Sequence, residues 1–156
     1  MDQNLDSLID FFNEEMYITS DHHFKHKNML KFEPIREELQ EKYNKTIEQI
    51  MMERWNEVVP KNANVFHLGD FSWGDPMDYG PTLTGNKILL QGNHDNYPFH
   101  KYNEAGFISI INFQAAVIDG EIEVIKTDIE DGEACIIADI GDSRILFSNI
   151  PMLIIS

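Results

Sequence analysis

The pattern of apolar and polar positions divides the chain into a first half of alternating strands and helices and a second half of strands. Apolar residues every three or four positions predict helices over residues 2–14, 34–59 and 98–105. Short apolar runs between them predict strands at 16–19, 64–68 and 87–91. Beyond residue 106, turn residues separate runs that predict strands at 108–111, 113–118, 122–125, 133–138 and 144–147. The chain is therefore expected to form an α/β domain.

Residues 1–15 are treated as an amphipathic helical extension that precedes the main domain, residues 16–156. Leu5, Leu8 and Ile9 lie on one side of this helix, and acidic residues lie on the other. The apolar side is expected to pack on the chain's own domain. The alternative is a helix that docks on a partner or forms a dimer.

The loop at 71–81 is rich in Gly, Pro and Asp. It either folds over a substrate or simply connects two strands, and a connection is the favoured interpretation. Trp73 in this loop is expected to cap the core. The alternative is that its indole is a stacking surface for a base or an aryl group.

Each of the first three strands ends in a short polar turn. The turns are Ser-Asp-His-His at 20–23, Gly-Asp at 69–70 and Gly-Asn-His-Asp at 92–95. The carboxyl ends of strands in an α/β sheet meet at one edge, so these side chains are expected to converge. Oxygen and nitrogen donors together suit a divalent metal ion. The pattern therefore predicts a metal site.

These motifs resemble the calcineurin-like metallophosphoesterase family, in particular its small bacterial and phage members, over residues 16–118. The resemblance implies an α/β sandwich of two mixed sheets flanked by helices. It also implies one or two divalent ions (Mn²⁺, Mg²⁺ or Fe²⁺) acting on a phosphate ester.

The resemblance also implies roles for individual residues. Asp21 and His23 would bind a first metal ion, Asp70 would bridge two ions, and Asn93 would bind the second. His94 would stabilise the transition state or protonate the leaving group, and Asp95 would fix its imidazole. His26 either lines the site or has a structural role.

The chain departs from the family pattern in its last residues. Asn149 stands where the family has a histidine, and a later Gly-His-x-His turn has no counterpart in this sequence. Asn149 is expected to be at best a weak metal or substrate contact. The apolar run at 150–155 resembles an interrupted strand, so the chain is expected to be a C-terminally shortened member with an exposed sheet edge.

The charge and composition of the chain limit the kinds of molecule it is expected to bind. The net charge is −15, with five acidic residues and no Lys or Arg in residues 1–20, and nine acidic residues against Lys126 in residues 119–142. Non-specific binding to nucleic acid is therefore disfavoured. No apolar run is long enough to span a membrane, and the first residues are acidic, so a cytoplasmic protein is expected. Cys135 has no partner for an intrachain disulfide and is expected to be buried.

Two functions remain open, and a third interpretation is that the chain is a fragment of a longer enzyme. The favoured function is a metal-dependent phosphoesterase, a phosphodiesterase on a small nucleotide-like substrate, with activity reduced by the missing ligands. The alternative is a catalytically degenerate protein that acts as an acidic inhibitor or regulatory module. Its contact with a protein partner or a second copy would then use the N-terminal helix or the C-terminal edge.

Overall fold

The chain forms two four-stranded sheets flanked by helices. The computed structural model describes residues 5–149, without the side chain of Asn13. The elements in chain order are α1 (Leu5–Asn13), β1 (Met16–Thr19), α2 (Met29–Phe32), α3 (Pro34–Tyr43), α4 (Ile47–Val58), β2 (Asn64–His67), β3 (Asn86–Leu90), α5 (Phe99–Glu104), β4 (Phe107–Ile111), β5 (Gln114–Ile118), β6 (Glu121–Lys126), β7 (Cys135–Ile140) and β8 (Ser143–Ser148). The expected general class, an α/β fold with two sheets and flanking helices, is confirmed.

The first sheet has the order β1-β2-β3-β4, and all of its neighbouring strands are parallel. The expectation of two mixed sheets is wrong for this sheet. Each connection here crosses over through helices or through the 3₁₀ turns Pro76–Asp78 and Gly80–Thr82, which returns the chain to the same end of the sheet. The three polar turns consequently lie at one edge.

The second sheet has the order β6-β5-β7-β8 and is mixed, as expected. Two of its pairs are antiparallel hairpins closed by short turns, and β5 pairs with β7 in parallel. Asp119 and Gly120 both have positive φ in the first hairpin turn. The Asp-Gly sequence therefore identified this turn correctly.

A core of apolar side chains from both sheets also takes in α1. Leu8, Phe11 and Phe12 are buried, and the Phe12 ring lies 5.3 Å from the ring of Phe66 and 6.0 Å from that of Phe147. The apolar side of α1 thus packs on the chain's own domain, the favoured one of the two alternatives.

A second core lies on the opposite face of the first sheet, beneath α4. Trp55 and Val59 pack there with Val65 of β2 and Leu89 of β3. All four residues of β2 are buried, because both faces of the strand are covered. β2 is therefore held between the two cores, and the turn that follows it begins at a strand end that is fixed by packing.

The single helix expected over 34–59 is wrong, because the chain breaks it into α3 and α4. Asn44 is left-handed, with φ 52°, and ends α3. Thr46 and Gln49 then form a capping box that begins α4. The break shifts the apolar stripe, and Tyr43 at the end of α3 is 40% exposed.

Residues 150–155, where an interrupted strand was expected, lie outside the described residues. Cys135 is buried, as expected. Among the helices that the structure describes, none has both the length and the apolar character needed to cross a bilayer.

Candidate metal centre

Three donor side chains converge at the carboxyl ends of β1 and β2. One ligand atom each from Asp21, His23 and Asp70 lies within 4.8 Å of the others. His23 Nε2 is 3.5 Å from Asp21 Oδ1 and 3.9 Å from Asp70 Oδ2. Asp70 is buried, whereas Asp21 is exposed. The centre is therefore anchored on the inside and open to solvent on the outside.

The backbone at these three residues is unusual. Asp21, His23 and Asp70 have φ of 58°, 50° and 54°. Non-glycine residues adopt this left-handed region rarely and at a cost, and such residues are concentrated at functional sites. Two hydrogen bonds join the loops, from Asp21 N to Gly69 O at 3.0 Å and from His23 N to Asp70 O at 2.9 Å. The loops thus hold the three donors as one unit.

Two glycines allow the turns after β2 and β3 to approach each other. Gly69 has φ 110°, and a Cβ there would lie 2.8 Å from Leu90 O. A Cβ at Gly92 would collide with Asp70 Oδ1. Both positions require glycine because a side chain would separate the turn carrying Asp70 from the turn after β3.

Asp95 fastens these two turns together. Its carboxylate accepts hydrogen bonds from the backbone N–H groups of Asp70 (2.7 Å), Phe71 (2.9 Å) and Gly92 (2.9 Å). Asp95 thus joins backbone groups of both turns, and its expected role in fixing the His94 imidazole stays a prediction. Asp95 is fully buried, and burial raises its pKa to about 6 against the opposing effect of these hydrogen bonds.

Arg36 of α3 holds the turn after β1 from the other side. Its guanidinium donates to His22 O at 2.7 Å and to Asp21 O at 3.0 Å, and it also pairs with Glu33. Arg36 is only 8% exposed. The sequence does not single out Arg36, because an arginine in a helix rich in charged residues has no distinctive pattern.

A histidine pair, made of the half-buried His22 and the fully buried His67, lies beneath the turns after β1 and β2. Gly69 N donates to His67 Nδ1 at 3.1 Å, so the His67 proton is on Nε2. Nε2 then donates to His22 Nδ1, 2.8 Å away. Burial lowers the pKa of His22 to about 4 and that of His67 well below its ordinary value, so both rings are neutral at pH 7. His22 is therefore turned toward His67.

The turn after β3 completes the edge of the site. His94 N donates to Asp70 Oδ1 at 3.1 Å, and the centroid of the His94 ring lies 5.8 Å from that of His23. Asn93 is exposed on the same turn. The structure thus brings His94 beside the donor triad, whereas the metal-binding role of Asn93 stays a prediction.

His26 and Asn149 also lie close to the centre. The centroid of the His26 ring is 5.8 Å from that of the His23 ring. Burial lowers the pKa of His26, and the nearby His23 lowers it further. A Cβ at Gly69 would lie 2.8 Å from Asn149 Nδ2, which is buried without a hydrogen-bond partner among the described residues. The end of β8 therefore carries Asn149 to the turn after β2, and its contact with a metal or substrate stays a prediction.

The donor set fits a divalent cation. Two carboxylates and one imidazole face a common point, and mixed oxygen and nitrogen donors suit Mn²⁺, Fe²⁺ or Mg²⁺. The half-buried His23 has carboxylate oxygens of both Asp21 and Asp70 within 4 Å. A bound cation would neutralise these two carboxylates.

A pocket of about 420 Å³ lies between β1 and the helices α3 and α4. Its lining is mostly apolar and includes Ile18, Ile47 and Trp55. It contains none of the three donors, so the chemistry is assigned to the triad and not to this pocket.

Comparison with known proteins adds little to this description. No protein-family model matches the chain, and no curated protein matches it. Among solved structures, the chain is similar to the protein of unknown function AQ665 from Aquifex aeolicus, with 26% identity and a TM-score of 0.49. The match covers 71% of this chain and 59% of that protein, so the chain spans less than two thirds of its length.

Proposed function

We propose that the chain is a metal-dependent phosphoesterase with a metallophosphoesterase-like sandwich fold. The observation that supports this proposal best is the convergence of Asp21, His23 and Asp70 within 4.8 Å at adjacent strand ends. The left-handed backbone at all three residues is the second support. A triad held at this backbone cost is expected to have a function that the fold alone does not require.

Asp21, His23 and Asp70 would hold the cation, which when bound supplies Lewis-acid polarisation of a phosphoryl group. Asp95 keeps Asp70 in place by accepting a hydrogen bond from the backbone N–H of Asp70. Arg36 keeps Asp21 in place by donating a hydrogen bond to the backbone carbonyl of Asp21. The half-buried His94 imidazole is the group placed to donate a proton to a phosphoryl oxygen or to the departing oxygen. Hydrolysis would break the bond between phosphorus and that oxygen, and water would supply the new oxygen on phosphorus.

The test is hydrolysis of bis-p-nitrophenyl phosphate with added Mn²⁺. We expect Asp70→Asn to lower kcat/KM by more than about 100-fold, because the buried carboxylate is central to the triad. The matched control is Asp139→Asn, which changes a half-exposed carboxylate on β7 that is distant in sequence from the triad. Turnover in Asp70→Asn equal to that of the wild type would refute the proposal.

A measurement without turnover separates metal binding from catalysis. Mn²⁺ is expected to raise the unfolding temperature of the wild type and of Asp139→Asn, because a ligand that binds the folded state stabilises it. The shift should disappear in Asp70→Asn. A shift without any hydrolysis would assign the triad to metal binding and would count against a phosphoesterase.

A second candidate, an acidic protein-binding module, is supported by strand β6. β6 lies at one edge of the second sheet, and Glu121, Glu123 and Ile125 on it are exposed. A basic partner could pair with this edge by charge complementarity. If this candidate is correct, a pull-down at low salt should capture a stoichiometric partner, and the double variant Glu121→Lys/Glu123→Lys should fail to capture it. Equal capture by the wild type and the double variant would exclude this candidate.

A further inference from the structure

An aromatic platform lies next to the donor triad. The rings of His26 and Trp73 are stacked, with centroids 4.2 Å apart and an interplanar angle of 7°. The Trp73 ring is 4.9 Å from that of His94, and the His26 ring is 5.8 Å from that of His23. Trp73 is nevertheless 52% exposed, so the expectation that it caps the core is wrong.

The loops that carry the triad also hold this platform in position. Trp73 N donates to Phe24 O at 2.8 Å, and Phe24 N donates to Phe71 O at 3.1 Å. Phe24 and Phe71 are both fully buried. The indole is therefore a large, exposed aromatic group on a rigid support, the arrangement that favours stacking with a ligand at little entropic cost.

Positive charge lies beside the platform, although the chain as a whole is acidic. A pocket of about 220 Å³ is lined by Lys25, His26, Lys27, Asn28 and Trp73. Lys27 is exposed and pairs with no carboxylate in the described part of the chain, whereas Lys25 is 3.5 Å from Asp78, with both side chains half exposed. In a protein of net charge −15, two lysines at one pocket indicate an anionic ligand.

We propose that this pocket is a subsite for a nucleotide that carries a second phosphate. The base stacks on the face of Trp73 that His26 leaves free, the second phosphate is bound by Lys25 and Lys27, and the phosphodiester to be cleaved lies at the triad. This inference rests on the proposed phosphoesterase function and adds its substrate class.

The energetics favour a small nucleotide over a polymer. Stacking of one base on an aromatic side chain contributes a factor of about ten or more in affinity. An ammonium group binds phosphate as a point charge, so two lysines need no single geometry. A longer nucleic acid would meet the repulsive field of the remaining acidic surface.

The first test compares three diesters that all release p-nitrophenolate. They are methyl p-nitrophenyl phosphate, thymidine 5′-(p-nitrophenyl phosphate), and the latter compound with an added 3′-phosphate. We expect kcat/KM to rise in that order for the wild type. Equal values for all three would overturn the subsite.

Two variants assign the gains to individual side chains. Trp73→Leu should lower the ratio of kcat/KM for the nucleoside ester over the methyl ester about tenfold. Lys27→Gln should remove most of the gain from the 3′-phosphate and leave the gain from the base. The controls are Tyr43→Leu and Lys61→Gln, an exposed aromatic and an exposed lysine outside the pocket, which should keep both ratios.

Binding of thymidine 3′,5′-bisphosphate separates this inference from the proposed function. We expect it to quench tryptophan fluorescence in the wild type but not in Trp73→Leu, since Trp55 is only 6% exposed. Hydrolysis without quenching, and with ratios unchanged in both variants, would overturn the subsite and leave the phosphoesterase. Quenching without hydrolysis of any ester would support the nucleotide subsite and overturn the phosphoesterase.

Discussion

Asp95 shows how one buried side chain can organise the candidate site without contacting a ligand. It joins the turns after β2 and β3 through three backbone N–H groups. In Asp95→Asn the amide group keeps one acceptor oxygen and points an N–H₂ at these donors. We expect a loss of about 2 to 3 kcal/mol in the free energy of unfolding, measured by denaturant titration.

Asp139→Asn is the matched control for this variant as well. Asp139 is half-exposed and pairs with the exposed Arg144 across a hairpin, so its replacement should have little effect. The Asp95 variant should also bind Mn²⁺ about 10- to 100-fold more weakly, because Asp70 loses its support. Equal stability of the two variants would mean that Asp95 does not fasten the turns.

At the scale of elements, α3 serves the metal centre through Arg36. The helix is mostly solvent-facing, and Arg36 is the residue of α3 that is buried. Its contacts with Asp21 O and His22 O hold a turn with left-handed backbone. Arg36→Met should therefore cost about 2 to 4 kcal/mol and should weaken Mn²⁺ binding, because two carbonyls and Glu33 lose their partner.

Arg54→Met on α4 is the control, since Arg54 is exposed and pairs with Glu57 at the surface. Arg36→Lys keeps the charge but replaces the planar fork, so it should give an intermediate loss. Mn²⁺ affinity in Arg36→Met that matches the Arg54 variant would show that α3 packs beside the turn without supporting it.

At the scale of the whole molecule, buried titratable groups make stability depend on pH. His22 and His67 have folded pKa values below 6.5, so the unfolded chain binds protons first as the pH falls. Their contribution is complete above pH 6.5 and declines below it, by about 2 kcal/mol for His22 at pH 5. Asp95 has the opposite effect on stability: its pKa of about 6 in the folded state lies above the unfolded value of 3.8, so its contribution to stability rises as the pH falls.

The two histidines together outweigh the single carboxyl group. We therefore expect the free energy of unfolding of the metal-free protein to fall between pH 6.5 and pH 5, measured by urea unfolding with a chelator present. His67→Gln should show a shallower dependence, whereas His100→Gln, at an exposed position, should keep the wild-type slope. A wild-type stability that rises as the pH falls to 5 would contradict the assignment.

The local sequence determined which segments become strands and which turns carry the candidate chemistry. The turns with Asp21, His23 and Asp70 follow apolar runs of four or five residues, and short apolar runs bounded by turn residues are typical of strands. The break between α3 and α4 is also encoded locally, because Asn44 is followed by the capping box of Thr46 and Gln49.

Only the tertiary structure decided what supports these turns. Asp95 is 25 residues from Asp70 along the chain, and His67 is 45 residues from its partner His22. Contacts of this kind follow no periodicity, because strand order and crossover direction bring the residues together. The exposure of Trp73 was decided in the same way: its position depends on how two loops pack, and propensity contains no information about that packing.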